Sequence, residues 1–177
     1  MAGVGLAQPI VTLSEAQAFA RIEIGEEEAL VAGLVRTASA LCEAFLNQVV
    51  IAREFSAELP VSGGWERLPV TPVRSIGTVV AVDLNGIERA LASSTYALDI
   101  DSSGDGWVRA SDPGGAPRVR VTGTAGMAED HNGVPEPIRQ GVVRLVAHLF
   151  SARDGAGGEP PAAVTALWRP YRRLSLA

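Results

Sequence analysis

Lysine is absent: all fifteen basic residues of this chain are arginine. That removes Schiff-base chemistry, amine nucleophiles and the lysine of a Walker-type phosphate loop from consideration. Cysteine is nearly absent too. Cys42 is the single thiol, so neither an intramolecular disulfide nor a cysteine zinc cluster can form, and its helical spacing among apolar residues marks it as a small buried hydrophobe. A basic excess is missing: the formal charge is −5, which argues against a broad nucleic-acid or anionic-membrane surface and leaves room only for a local basic segment. No run of ~18 apolar residues stands out, and no basic residue precedes Arg21. Neither a membrane span nor a signal peptide is therefore expected, while the single cysteine points to cytoplasmic synthesis.

What is present is a change of period along the chain. Thr12-Leu13-Ser14-Glu15 has capping-box spacing and opens a short helix to about Arg21. A longer helix follows, with Glu26, Glu27 and Glu28 crowding its first turn, where the macrodipole favours acids. Leu30, Leu34, Leu41 and Phe45 repeat at helical spacing, with Val31, Val35, Ala38, Cys42 and Leu46 alongside. So wide a stripe predicts packing against two neighbours. Gly33 within it suggests a close helix crossing.

From residue 49 the pattern turns to strands. The segments 49–55, 65–70, 76–82, 95–100, 107–110 and 118–122 read as short strands between Gly, Pro and Ser turns, and Asn85-Gly86 is a two-residue hairpin signal. Helical period returns after Pro135, where Ile138, Val142, Leu145, Val146, Leu149 and Phe150 form one stripe over about 136–152. A short helix over 161–168 is expected to follow. The fold class is thus α+β, a helical bundle of N- and C-terminal helices carrying a small inserted antiparallel β module. The expected divisions are 1–48 for the first helices, 49–125 for the β insertion, 126–158 for the third long helix with a Gly-rich linker, and 159–177 for a short helix and arm.

No constellation in the chain requires an enzyme. Asp99-Ile100-Asp101-Ser102-Ser103-Gly104-Asp105-Gly106 begins like a calcium loop, but Ala110 stands where the bidentate Glu belongs, so a polar hairpin turn is the reading. Gly3-Val4-Gly5 lacks the third Gly of a dinucleotide loop. His131 lies among Glu129, Asp130 and Asn132 without a Ser or Cys nucleophile motif, and His148 falls on the third long helix. No catalytic residue, metal ligand or cofactor is assigned.

The C-terminal stretch Leu167-Trp168-Arg169-Pro170-Tyr171-Arg172-Arg173-Leu174 holds three arginines and no acid. It follows the Gly/Pro break Gly155-Ala156-Gly157-Gly158-Glu159-Pro160-Pro161 and supplies the aromatic and Arg side chains common in binding hot spots. It reads as a docking arm set apart from the body, so a chain ending at Gly158 is expected to stay folded. The other reading has Trp168 tucked onto its own domain. A second functional reading puts Arg169, Arg172 and Arg173 on nucleic-acid phosphates, which would make the chain a DNA-binding or DNA-processing accessory.

Taken in order, several blocks resemble the head–tail connector (adaptor) family of tailed phages and phage-like gene transfer particles, in its longer form with a β insertion. They are Thr12-Leu13-Ser14-Glu15-Ala16, Glu43-Ala44-Phe45-Leu46-Asn47-Gln48, Leu68-Pro69-Val70-Thr71-Pro72-Val73-Arg74-Ser75-Ile76, Tyr96-Ala97-Leu98-Asp99, Val121-Thr122-Gly123-Thr124-Ala125-Gly126, Val134-Pro135-Glu136-Pro137-Ile138 and the ending Leu167 to Leu174. Gln17 departs from the family's usual basic residue. The resemblance implies a dodecameric ring beneath the portal of a DNA-filled capsid, assembled in the bacterial cytoplasm, with no membrane and no sequence-specific DNA contact. It also implies that Leu167, Trp168, Arg169, Pro170, Tyr171, Arg172, Arg173 and Leu174 dock on the portal and that the opposite face receives the next neck, stopper or tail protein. Glu26, Glu27 and Glu28 are expected as ring contacts, because their sign opposes that of the arm.

Overall fold

The computed structural model describes all residues except 1, 23–24, 26, 112, 153–159 and 175–177. It is mixed α+β, with four α-helices and two antiparallel sheets among the described residues. The chain divides into a β unit, residues 1–6 and 52–126, and a helical unit, residues 7–51 and 127–177.

In the β unit, β1 (Ala2–Val4), β2 (Arg53–Pro60), β8 (Arg118–Ala125), β4 (Val73–Val82) and β5 (Glu88–Ala90) form one sheet in that order. β3 (Glu66–Arg67), β7 (Gly106–Ala110) and β6 (Tyr96–Ile100) form the other. Along β2, Phe55, Ala57 and Leu59 alternate inward, and Val119, Val121 and Ala125 do so along β8, the period-2 burial of a sheet with one covered face. On the other face Glu58 lies opposite Arg120. Its carboxyl is held below the usual range by its hydrogen bond to Arg120 and by the Arg118 charge. β8 meets β4 so closely at Gly123 that a Cβ there would lie 2.2 Å from the Ser75 carbonyl oxygen, which explains a residue of low strand propensity in mid-strand.

Several element boundaries differ from the sequence-based expectation. β1 is unforeseen: Gly3-Val4-Gly5 has poor strand propensity, and pairing with β2 supplies what propensity does not. Val49, Val50 and Ile51, expected as strand, are buried in the helical unit, where the Val49 and Val50 carbonyls accept from the Met127 and Ala128 amides. The Asn85-Gly86 turn is part of a five-residue loop in which the Asp83 carboxylate accepts from the Asn85 and Ile87 amides, both at 2.8 Å. The loop over 101–105 is a polar turn of the expected kind. Asp101 accepts from the Ser103 and Asp105 amides and from Trp107 Nε1 at 3.1 Å, which holds its carboxyl below the usual range.

The helical unit comprises α1 (Leu13–Ala20), α2 (Glu28–Leu46), α3 (Glu136–Ser151) and α4 (Ala162–Trp168). α1 begins with the capping box: the Glu15 amide donates to Thr12 Oγ1 at 3.2 Å, and Glu15 Oε2 accepts from the Thr12 amide at 2.8 Å. The other Glu15 oxygen pairs with Arg139 of α3. Burial resists ionisation of Glu15, but the Thr12 donors and Arg139 outweigh it and lower its pKa. A carboxylate with a depressed folded-state pKa stabilises the fold above the unfolded value, about 4.3, and that contribution is lost as pH falls through the folded value. Glu15→Gln should therefore lower the melting temperature at pH 7, and the gap from the parent should close towards pH 3 when both are followed by circular dichroism.

α2 is long and apolar enough to cross a membrane by length and composition, yet Val31, Val35, Ala38, Ser39, Cys42 and Leu46 are buried in the core of the helical unit. Cys42 is fully buried, and desolvation pushes its thiol well above the ordinary range. The expected acidic first turn is only partly formed. Glu28 occupies it, Glu27 is the N-cap with φ 51° and no side-chain cap, and Glu26 lies outside the described residues.

Candidate functional site

The C-terminal segment carries the site residues expected from sequence, and the structure corrects its placement. Trp168, assigned to a free arm, is fully buried and is the largest such side chain in the core. Its indole lies on α3 over Gly141, where any Cβ would meet Nε1 at 2.1 Å, and Nε1 donates to the Ile138 carbonyl at 3.1 Å. Only a glycine leaves room for the ring at that point. The Phe45 ring of α2 packs against the indole, centroids 5.7 Å apart. Residues 169–171 form a 3-10 turn that keeps the chain on the helical unit beyond Pro170.

α2 ends at Leu46 with carbonyls that lack intrahelical partners. The C-terminal segment supplies one: the Arg173 amide donates to the Leu46 carbonyl at 3.0 Å. Just beyond the helix, Gln48 Nε2 reaches the Tyr171 carbonyl at 2.5 Å. The segment is therefore docked on its own unit, the outcome in which Trp168 belongs to the core. Of the Gly/Pro break expected to set it apart, 155–161, residues 155–159 lie outside the described residues.

Docking divides the eight expected residues into two groups. Trp168 is buried, and Leu167 and Tyr171 are half-buried against the core. Arg169, Pro170, Arg172 and Leu174 are exposed, Leu174 by 81%, while Arg173 is half-buried. The Arg172 guanidinium stands over the Phe45 ring at 5.3 Å, a cation–π contact that orients it. What reaches solvent is an anchored strip with Arg169 and Arg172 as its exposed cations. Glu27 and Glu28, expected as ring contacts, are exposed at the other end of α2.

Apolar side chains at the surface escaped sequence reading. Leu84 and Ile87, on the loop between β4 and β5, are 85% and 66% exposed. The signal available was two aliphatics beside an Asn-Gly turn, where polar residues are the rule. Among the described residues no group of three or more His, Cys, Asp or Glu could hold a metal ion. Asp130 uses its carboxylate on the Asn132 and Gly133 amides, at 2.8 and 3.2 Å, and these bonds keep its pKa low. His131, considered as a base, sits in that turn.

No protein-family model and no curated protein matches the sequence. Solved structures do match. A chain of the neck of an empty gene transfer agent (GTA) particle, computed with C6 symmetry, is 26% identical with a TM-score of 0.79, covering all of this chain and 97% of that one. A chain of the virion of a native GTA particle is 26% identical with a TM-score of 0.77 over the same shares. The chain is a neck protein of the phage-like kind. A further chain, from the neck of a native GTA particle computed with C12 symmetry, shares the fold at 24% identity and a TM-score of 0.73. The full-length cover means that this neck protein carries both the β unit and the helical unit of its structural counterparts, and its role is structural.

Proposed function

We propose that the protein is the head–tail adaptor subunit of a phage-like particle, forming a closed ring beneath the portal and linking a DNA-filled capsid to the tail. The full-length likeness to a GTA neck chain at TM-score 0.79 carries this reading. Its portal contact is the exposed strip of Arg169, Pro170, Arg172 and Leu174, held in place by buried Trp168 and half-buried Tyr171. Anchoring suits such a role, because a strip already fixed on its unit loses less conformational freedom on binding than a loose tail. A closed ring then presents one copy per subunit, and each contact after the first forms at high effective concentration. The next neck or tail protein is received on the opposite face.

Portal co-sedimentation tests the contact with the fold kept intact. Replacing Arg169 and Arg172 with Ala and Leu174 with Ser leaves Trp168 and Tyr171 in place, and binding to purified portal rings should fall at least tenfold with an unchanged circular dichroism spectrum. Undiminished binding removes the strip from the portal interface. Salt separates the rival DNA-binding reading: arginines on phosphates lose affinity steeply between 50 and 200 mM salt, whereas a partly apolar protein contact should change by only a few-fold.

A further inference from the structure

We infer that the exposed apolar edge of α2, formed by Leu30 and Leu41 with half-buried Leu34 between them, is the seam against a second copy of this chain. At 100° per residue, the apolar and small side chains from Leu30 to Leu46 occupy about 280° of the helix circumference. The core takes the arc of Val31, Val35, Ala38, Ser39, Cys42 and Leu46, with Leu34 and Phe45 partly packed on it. On the adjoining arc Leu30 and Leu41 are each 40% exposed and Leu34 is half-buried. They fall at i, i+4 and i+11, one continuous row rather than scattered surface residues. Thr37 and Ala44 flank the row without adding charge. The charged side chains between Ala29 and Leu46 are Arg36 and Glu43, and helical geometry puts both on the far side of the helix from the row. A surface without charge is unsuited to nucleic acid and suited to protein.

Its size favours a copy of the same chain in a closed ring over a stable pair. A helix of this length is about 28 Å long, and a strip about 10 Å wide along it buries on the order of 300 Å². A stable two-body interface needs about 800 Å² per partner. A seam this small is weak alone but is repeated at every junction of a ring, where closure makes the contacts collective. The inference rests on the ring reading above and adds the surface that joins its subunits.

A photo-crosslinking benzoylphenylalanine in place of Leu41, read out in rings and necks assembled from the full-length chain, tests it. Illumination should give covalent dimers and higher multiples of this chain. In parallel, Leu30→Glu with Leu41→Glu should lower the assembled fraction at least tenfold and leave the melting temperature within about 3 °C of the parent, since both side chains are exposed and neither packs on the core. Leu84→Glu with Ile87→Glu should leave ring formation unchanged. Rings that form while position 41 crosslinks to another protein, to its own chain or to nothing overturn the seam and leave the ring reading standing. A parent chain that forms no ring in the neck overturns both.

Discussion

A chain ending at Gly158 is expected to lose the cooperative thermal transition of its helical unit. The sequence alone suggests the opposite, an arm that can be cut away without harm. The structure shows why removal does damage: the truncation takes out Val164 and Trp168, both buried in the core of the helical unit. It also strips the Arg173 amide from the Leu46 carbonyl at the end of α2. Trp168→Ala alone should cost about 3–5 kcal/mol, the range for emptying a buried large aromatic site. Part of that loss is the bond from Nε1 to Ile138. The domain's whole stability is of order 5–15 kcal/mol, so the truncation should leave α1 to α3 largely unfolded at 37 °C while the β unit keeps its strand signal. Circular dichroism at 222 nm against temperature checks this. A sharp transition in the truncated chain would mean that the indole contributes little to the core.

The second large effect is a reversal of sign at Gly141. In an ordinary helix interior, Gly→Ala gains about 1 kcal/mol. Here the new methyl would lie 2.1 Å from the Trp168 ring nitrogen and 2.7 Å from Cε2, so the indole or the helix must shift, at a cost of about 1–3 kcal/mol for overpacking. The methyl also crowds the approach of Nε1 to the Ile138 carbonyl. Gly141→Ala should therefore destabilise the parent by roughly 2 kcal/mol and stabilise a Trp168→Ala background by up to about 1 kcal/mol. Equilibrium urea unfolding of the four proteins measures this coupling directly. Equal effects of Gly141→Ala in both backgrounds would show that the ring does not rest on this glycine.

Much of the helical unit was legible from the sequence, since capping and periodicity are local. Thr12 with Glu15, the row from Val31 to Leu46 and the row from Ile138 to Val146 all appear where spacing puts them. The strands were legible in kind more than in extent. β1 was missed because Gly3 and Gly5 give no strand signal, and its partner β2 begins 49 residues after it ends, counting from Val4 to Arg53. The C-terminal segment, read as an arm apart from the body, is packed on its own unit instead. Trp, Tyr and Arg after a Gly/Pro break look alike whether they face a partner or their own core. What decides between the two is Gly141, a small residue on another helix that leaves a place for the indole, and a match of that kind across distant residues has no local signature. The exposed half of the α2 stripe carries the same lesson. Its width predicts two neighbours, while the helical unit leaves Leu30 and Leu41 exposed along one side.

Whether this chain is a ring subunit of a particle neck is decided by electron cryo-microscopy of the necks of particles made with this protein, averaged with cyclic symmetry. Density is expected for both units of this chain in one closed ring between the capsid vertex and the tail, with the strip of Arg169 to Leu174 against the portal and α2 at the junction of neighbouring copies. Particles whose neck lacks this chain, or that carry it as single copies elsewhere, would contradict it.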